Sequence, residues 1–250
     1  MYQNEREMEI VKLLSAESYM TVKALSRVLY TSESSIRRDL TGLEKRGIVR
    51  RSYGGVELSK TNVTVLPFNV RLHDRVQEKK LIAQKAASLV HDGDIVFLDQ
   101  SSSAMFVARA LMQAARVTVV TNNVEILSLL SQTDLEVFSS GGMLCKNNRN
   151  CLLGADAHYI FRQVHANFAF FSTKALSDDG IIYDCDREEI CIRNTMLENA
   201  EQRVFLCTGE KIVRRSGYRQ CALEDVEYVI TDRKEPRLFP ALQAYSGKVL

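Results

Sequence analysis

The sequence predicts an α/β chain in two parts, a small helical module closed by a β-hairpin and then a larger, mainly parallel α/β domain. Three observations carry this expectation. Within the first 58 of 250 residues, three helical periodicities precede a basic hairpin that turns at Gly54-Gly55. From Lys79 onward, apolar runs of strand length alternate with helical patterns, which implies a parallel sheet covered by helices. Between the two parts, Ser59–Pro67 (SKTNVTVLP) is polar and lacks helical periodicity. The expected division is therefore 1–58 for the first module, 59–73 for a linker and lead-in, and 74–250 for the second domain.

The first helix is expected from about Asn4 to Ser15, with Met8, Ile10, Val11 and Leu14 on its buried face. Tyr19 and Met20 read as a short apolar link. Thr21 is placed to cap a second helix, Val22 to Leu29, whose Val22, Leu25 and Leu29 face the first. A tight turn at Tyr30-Thr31 delivers the third helix, for which Thr31 and Ser32 are the N-cap candidates. Ile36, Leu40 and Leu43 give it one apolar stripe, and Ser34, Ser35, Arg37 and Arg38 lie off that stripe. Gly47 ends it where a left-handed residue costs little. Ile48 to Arg51 alternates apolar and basic residues before the hairpin returns through Val56 and Leu58. Helix, short helix, turn, polar-faced helix and wing make a winged helix-turn-helix, whose third helix suits the major groove of DNA.

Charge alone does not decide the matter, because basic runs are usually solvated faces. The net charge of +2 is too small to announce a nucleic-acid binder. The local excess is the informative part: Arg37, Arg38, Lys45, Arg46, Arg50 and Arg51 stand against only Asp39 and Glu44.

At these residues the chain resembles the DeoR family of bacterial transcription regulators. The family signature sets an Arg in the first helix, apolar residues four and eight positions later, and then Ser-x-x-Thr-Ile-Arg-Arg-Asp-Leu. Arg6, Ile10 and Leu14 fill the first part here, and Ser32, Ile36, Arg37, Arg38, Asp39 and Leu40 the second. Ser35 replaces the usual Thr, and Tyr53 stands where a His is common. The resemblance implies DNA-contacting roles for Thr21, Ser32, Ser34, Ser35, Arg37, Arg38, Arg50, Arg51 and Tyr53.

In the second domain, a helix marked by Leu81, Ile82, Ala86, Leu89 and Val90 is expected to end at Asp92-Gly93. Strands are expected at Ile95–Leu98, Val117–Val120, Leu135–Phe138, Phe168–Phe171, Val204–Cys207 and Tyr228–Ile230, with helices at Ala104–Ala114 and Val124–Leu130. Ligands of such sheets sit beyond the C-terminal strand ends. Three loops there are polar: Asp99-Gln100-Ser101-Ser102-Ser103, Thr121-Asn122-Asn123 and Ser139-Ser140-Gly141-Gly142. Hydroxyls at a helix start make the first a phosphate cradle, and simple capping by one serine is the plain alternative. Glycines in the third let a ligand approach the backbone.

The resemblance extends here, through Pro67-Phe68, Arg71, Glu78-Lys79, Asp92-Gly93-Asp94, Gly154, Ser177–Gly180, Glu188-Glu189 and Lys211. It implies an effector domain related to ribose-5-phosphate isomerase that senses a phosphorylated sugar. Carried over, Ser101, Ser102 and Ser103 hold phosphate, Asp99 and Asn122 bind sugar hydroxyls, and Lys211 supplies a cation. Gln100, Thr121, Gly141 and Gly142 belong to the same expected site. The family's usual Asp-x-Ser-Lys reads Thr208-Gly209-Glu210-Lys211 here, and Phe171-Ser172-Thr173-Lys174 replaces a glycine-containing segment.

The remaining chemistry-bearing residues have plain readings. Six cysteines lack a Cys-x-x-Cys pair, so they are expected as reduced thiols, with Cys185 and Cys191 buried. His73, His91, His158 and His165 have no ligand spacing, so no metal or cofactor is expected. Glu188 and Glu189 suit a helix's first turn by dipole alone. Neither a signal peptide nor an apolar run near the ~20 residues of a membrane span is read, which gives a cytoplasmic expectation. The functional expectation is a repressor of a carbohydrate operon, acting on double-stranded operator DNA as a homodimer or homotetramer and controlled by a sugar phosphate. A sugar-phosphate isomerase with a DNA-binding appendage is the rival, and a ligand-independent DNA-binding protein the third reading.

Overall fold

The computed structural model describes the chain outside residues 1, 18, 46, 53, 60–66, 115 and 147 and the side chains of Asn4, Ser15 and Ala16. The expected linker lies largely outside the described residues, as does Tyr53. The chain forms two compact units, Met1–Asp74 and Arg75–Leu250.

The first unit runs α1 (Gln3–Ala16), β1 (Tyr19–Thr21), α2 (Val22–Val28), α3 (Glu33–Lys45), β2 (Val49–Ser52), β3 (Gly55–Leu58) and α4 (Phe68–His73). Ile10, Val11 and Leu14 of α1 meet Leu25 of α2, Ile36, Leu40 and Leu43 of α3, and Val49 and Val56 of the hairpin in one core. Each fully buried Leu or Ile contributes about 1.5–3 kcal/mol. Thr21 caps α2, its side chain accepting from the Ala24 amide at 3.1 Å. Gly47, at φ 69°, closes α3 in a Schellman motif: its amide reaches Glu44 O at 2.8 Å and the Ile48 amide reaches Leu43 O at 3.0 Å. Arg6 of α1 donates to both carboxylate oxygens of the fully buried Asp39, at 2.5 and 3.1 Å, and so pins α3 on α1.

Two expectations change in this unit. Tyr19–Met20 is not a link but the start of β1, antiparallel to β3 with Met20 opposite Val56. Three residues are too few to show a period, yet they cover the hairpin edge that β3 exposes. The lead-in forms α4, whose Val70 joins the same core.

The second unit runs α5 (Val76–Ala87), β4 (Ile95–Leu98), α6 (Ser102–Leu111), β5 (Thr118–Thr121), α7 (Val124–Leu130), β6 (Glu136–Ser139), β7 (Met143–Leu144), β8 (Leu152–Leu153), α8 (Ala155–Gln163), β9 (Ala166–Phe171), β10 (Ala175–Leu176), β11 (Ile181–Asp184), α9 (Arg187–Glu198), β12 (Ala200–Cys207), β13 (Tyr218–Ala222), β14 (Tyr228–Thr231), α10 (Pro240–Ala244) and β15 (Lys248–Val249). Seven strands make one sheet in the order β15-β14-β12-β9-β4-β5-β6, and every neighbouring pair is parallel. Phe97, Phe161, Phe171 and Phe205 fill its core, the last two stacked at 5.3 Å. The helix expected to reach Val90 stops at Ala87, because Leu89 and Val90 turn back on Ala86 O and Ala87 O instead of continuing it. Cys191 is exposed rather than buried, on the face of α9 opposite the buried Ile190 and Ile192.

Two additions were not legible as periodic runs. β7 and β8 form a short antiparallel hairpin, and β10, β11 and β13 form a small antiparallel sheet. β7, β8 and β10 have two residues each, and β11 (IIYD) and β13 (YRQCA) lack the continuous apolar run by which the four-residue strands of the main sheet are read. Among the described residues no helix is long and apolar enough to cross a membrane, and no cluster of His, Cys, Asp and Glu is suited to a metal ion.

Candidate functional site

In the first unit the residues off the apolar stripe of α3 form one polar face. Ser32 caps the helix, accepting from the Ser35 amide at 3.3 Å, and its hydroxyl lies 2.9 Å from Ser34 Oγ and 3.0 Å from Ser35 Oγ. Arg37 and Arg38 are exposed; Arg37 pairs with Glu33 one turn back at 3.0 Å, and Arg38 makes no ion pair among the described residues. Hydroxyls and guanidinium groups at the start of an exposed helix are the donors a major groove and its flanking phosphates take.

The two wing arginines differ. Arg50 pairs across the hairpin with Glu57 at 2.5 Å and remains 73% exposed. Arg51 is tied to α3: it bonds Thr41 Oγ1 at 2.6 Å and Arg37 O at 3.0 Å and pairs with Glu44 at 3.2 Å. Its guanidinium therefore sets the angle between wing and helix, a role the charge pattern did not reveal.

In the second unit the chain runs outward from β4 through β5 to β6, then crosses to β9 on the other side of β4. That reversal opens a crevice beyond the carboxyl ends of β4 and β9. Ser101 caps α6, accepting from the Ala104 amide at 3.1 Å, and its carbonyl takes the Met105 amide. The amides of Ser102 and Ser103 are left at the positive end of the helix, beside their own hydroxyls.

Asp99 is fully buried and its carboxylate is engaged. One oxygen accepts from the Ser101 amide at 3.0 Å; the other accepts from the Ser172 amide at 3.2 Å and from Arg193 Nε at 3.1 Å. Through these partners Asp99 shapes the loop after β4. Thr121 is likewise structural: its hydroxyl donates to Leu98 O at 2.7 Å and accepts from the Asn123 amide at 3.1 Å. Gly141 and Gly142 are exposed. At Gly142 a Cβ would lie 2.5 Å from Leu153 O and 2.9 Å from Ala157 Cβ, so the glycine serves hairpin packing.

The other expected residues come together. Lys211 donates to Ser172 Oγ at 2.7 Å, and Ser172 is bonded through its amide to Asp99. Gln100 joins this set to a second one: its Nε2 donates to Glu189 at 2.9 Å, and its Oε1 accepts from Asn122 Nδ2 at 3.4 Å. Asn148, from the loop between β7 and β8, donates to the other Glu189 oxygen at 2.9 Å. Glu189, Asn148, Arg193, Asp184 and Gln220 were missed as a group. Glu189 and Arg193 stand four apart on α9, so two charges fall on one helical face between buried isoleucines.

Five buried polar atoms lack a hydrogen-bond partner among the described residues: Ser103 Oγ, Asn122 Oδ1, Asn123 Nδ2, Thr173 Oγ1 and Thr208 Oγ1. All five lie just beyond the carboxyl ends of β4, β5, β9 and β12. Leaving such atoms unpaired costs about 1–3 kcal/mol each, which marks the sheet end as built for something polar. Burial pushes the thiols of Cys151, Cys185, Cys207 and Cys221 upward, the last two to about 12, so none of these is a thiolate near neutral pH.

Comparison with known proteins decides the family. A family model described as the DeoR-like helix-turn-helix domain matches residues 6–62, and one described as the DeoR C terminal sensor domain matches residues 74–233. The chain belongs to the DeoR family. It is 30% identical over 248 residues to the HTH-type transcriptional repressor GlcR of Bacillus subtilis (strain 168), covering 99% of this chain and 95% of that one. It is 25% identical over 237 residues to the glycerol-3-phosphate regulon repressor of Escherichia coli (strain K12), covering 94% and 93%. Among solved structures it is similar to ribose 5-phosphate isomerase A from Methanocaldococcus jannaschii, with a TM-score of 0.41 and 18% identity over 54% of this chain and 53% of that one. This DeoR-family chain is a DNA-binding transcription regulator, with a helix-turn-helix in its first unit and a sensor domain in its second.

Proposed function

We propose that this regulator is a cytoplasmic repressor whose residues 1–58 bind operator DNA and whose residues 74–250 sense a phosphorylated sugar or polyol. Ser32, Ser34, Ser35, Arg37 and Arg38 face the major groove, Thr21 and Arg50 contact phosphates, and Arg51 holds the wing in place. In the sensor, the amides and hydroxyls of Ser102 and Ser103 with Lys211 take the phosphate. Asn122, Thr173 and Thr208 take ligand hydroxyls. The observation that carries this reading is the set of unpaired buried polar atoms beyond the carboxyl ends of β4, β5, β9 and β12, with Ser103 Oγ in the first turn of α6. A ligand with one dianionic end and several hydroxyls satisfies both features. Relatives named for a glycerol-3-phosphate regulon point to the same ligand class. A single winged module reads one half-site, so two or four copies act together.

The test uses the full chain in three assays. Thermal shifts against a panel of triose, pentose and hexose phosphates identify the ligand. Gel-shift titration on a duplex selected by the full chain then measures release. Turnover assays on the same sugars examine the isomerase alternative: binding with duplex release and no turnover supports the regulator, and turnover without effect on DNA overturns it.

A further inference from the structure

We propose that Tyr30 is a phosphate-contacting residue of the DNA interface, an inference that rests on α3 being the helix that enters the groove. Tyr30 sits in the turn between α2 and α3 with φ 48°, a backbone conformation in which Cβ crowds the following carbonyl and which bulky residues rarely adopt. The turn itself is fixed from outside the tyrosine. The Thr31 amide bonds Ser26 O at 3.1 Å, Ser26 Oγ donates to Thr31 O at 2.6 Å, and the Tyr30 amide reaches Arg27 O at 3.3 Å. Any residue at this position must accept the left-handed geometry, and Gly or Asn would accept it at lower cost.

The folded unit gains nothing visible in return. Tyr30 is 96% exposed, and its ring and hydroxyl make no hydrogen bond or ring contact among the described residues. Backbone strain kept without a folded-state contact is a sign of function. Position says which function: Tyr30 lies two residues before the cap Ser32, at the same end of α3 as Ser34, Ser35 and Arg37. A helix that inserts its N-terminal end between two DNA backbones brings the preceding turn alongside one of them. There the tyrosine ring packs on a sugar edge and its hydroxyl donates to a phosphate oxygen. Because the donor is neutral, the contact adds affinity without releasing a counterion.

The experiment compares the full chain with Tyr30→Asn, Tyr30→Phe and Arg38→Ala. The probes are the duplex that the wild-type chain enriches from a random-sequence library and a scrambled duplex of equal length. Tyr30→Asn should bind both duplexes about 5- to 10-fold more weakly, with the salt dependence unchanged and the melting temperature equal or higher. Tyr30→Phe should show a part of that loss, and Arg38→Ala should flatten the salt dependence. Wild-type binding by Tyr30→Asn beside weakened binding by Arg38→Ala overturns the proposal and leaves the α3 assignment standing. Wild-type binding by both variants overturns that assignment as well. A fall in melting temperature for Tyr30→Asn makes the tyrosine structural, and a changed molar mass with intact DNA affinity assigns it to a protein contact; either result also overturns the proposal.

Discussion

Arg193 Nε lies 3.1 Å from Asp99 Oδ2, and both side chains are withdrawn from water. The same guanidinium reaches Asp184 at 3.0 Å and Gln220 at 2.6 Å. One buried cation on α9 therefore joins the loop after β4 to the small sheet of β11 and β13. Burial opposes the charge on Arg193, but the two carboxylates outweigh that and hold its pKa above the ordinary arginine value. Asp99 in turn fixes the Ser101 amide, so the geometry of the phosphate cradle depends on a residue that need not touch the ligand.

Removing that cation should therefore be costly. Arg193→Met leaves two buried carboxylates without their partner, and the expected loss is about 3–5 kcal/mol of sensor stability. Urea unfolding of the full chain checks it, and a loss below 1 kcal/mol would mean that water already reaches Asp99 and Asp184.

Thr208 gives a contrasting case. Its hydroxyl is buried and unpaired, and the family's usual acid is absent at this position. Thr208→Val keeps the shape and removes the unsatisfied group, so stability should hold or rise by about 1 kcal/mol. Affinity for the sugar phosphate found by thermal shift should drop about 5- to 10-fold. A stabilised variant with unchanged affinity would place Thr208 outside the ligand's reach.

The wing arginines are separable by the same logic. Arg50→Ala should weaken binding to all duplexes alike and reduce the salt dependence, because an exposed guanidinium is available to phosphate. Arg51→Ala should in addition lower the stability of the first unit, by about 1–2 kcal/mol, since it breaks bonds to Thr41 and Arg37 on α3. Melting curves alongside salt titrations distinguish them; identical behaviour of the two variants would refute the buttress.

The sequence made the frame legible where physics is local. The Ile36, Leu40 and Leu43 stripe, the Thr21 cap and the Gly47 stop are each set by neighbours within a turn of helix, and all appear where expected. At the start of α6 the sequence offered a capping serine without saying which, and a helix from Ala104; the helix begins at Ser102 and the cap is Ser101. Partnerships across the chain were not. Nothing near Asp99 in sequence announces its buried partner Arg193, 94 residues away. Arg51 looked like a twin of Arg50 because charge pattern carries no direction. Asn148 could not be assigned at all until β7 and β8 folded their loop toward Glu189.

His158 supplies a pH dependence with a definite sign. Burial, helped by Arg162, lowers its pKa from 6.5, and its Nδ1 lies 2.7 Å from Thr195 Oγ1. Below about pH 6.5 the unfolded chain takes up the proton more readily than the folded one, so stability falls as pH drops from about 6.5 toward the lowered folded value, and is level well above pH 6.5. His158→Gln should flatten that decline. A wild-type stability curve that stays level below pH 6.5 would remove His158 from the account.

The cradle itself is tested by its two ends. If the α6 N-terminus holds the phosphate, Ser102→Ala removes one charge-assisted hydrogen bond and should lose about 1–3 kcal/mol of effector affinity. Lys211→Met keeps the aliphatic stem but removes the cation, and a comparable loss is expected. Lys211 also donates to Ser172 Oγ, so this variant should cost some stability, whereas Ser102→Ala should cost little. Operator affinity without effector should stay near the wild-type value for both, because neither residue belongs to the first unit. The measurement is duplex release against concentration of the identified sugar phosphate. Parallel rightward shifts for the two variants support a shared phosphate site. A wild-type response from Lys211→Met, with its melting temperature lowered, would confine Lys211 to bracing Ser172 and leave the helix end and serine hydroxyls as the phosphate donors.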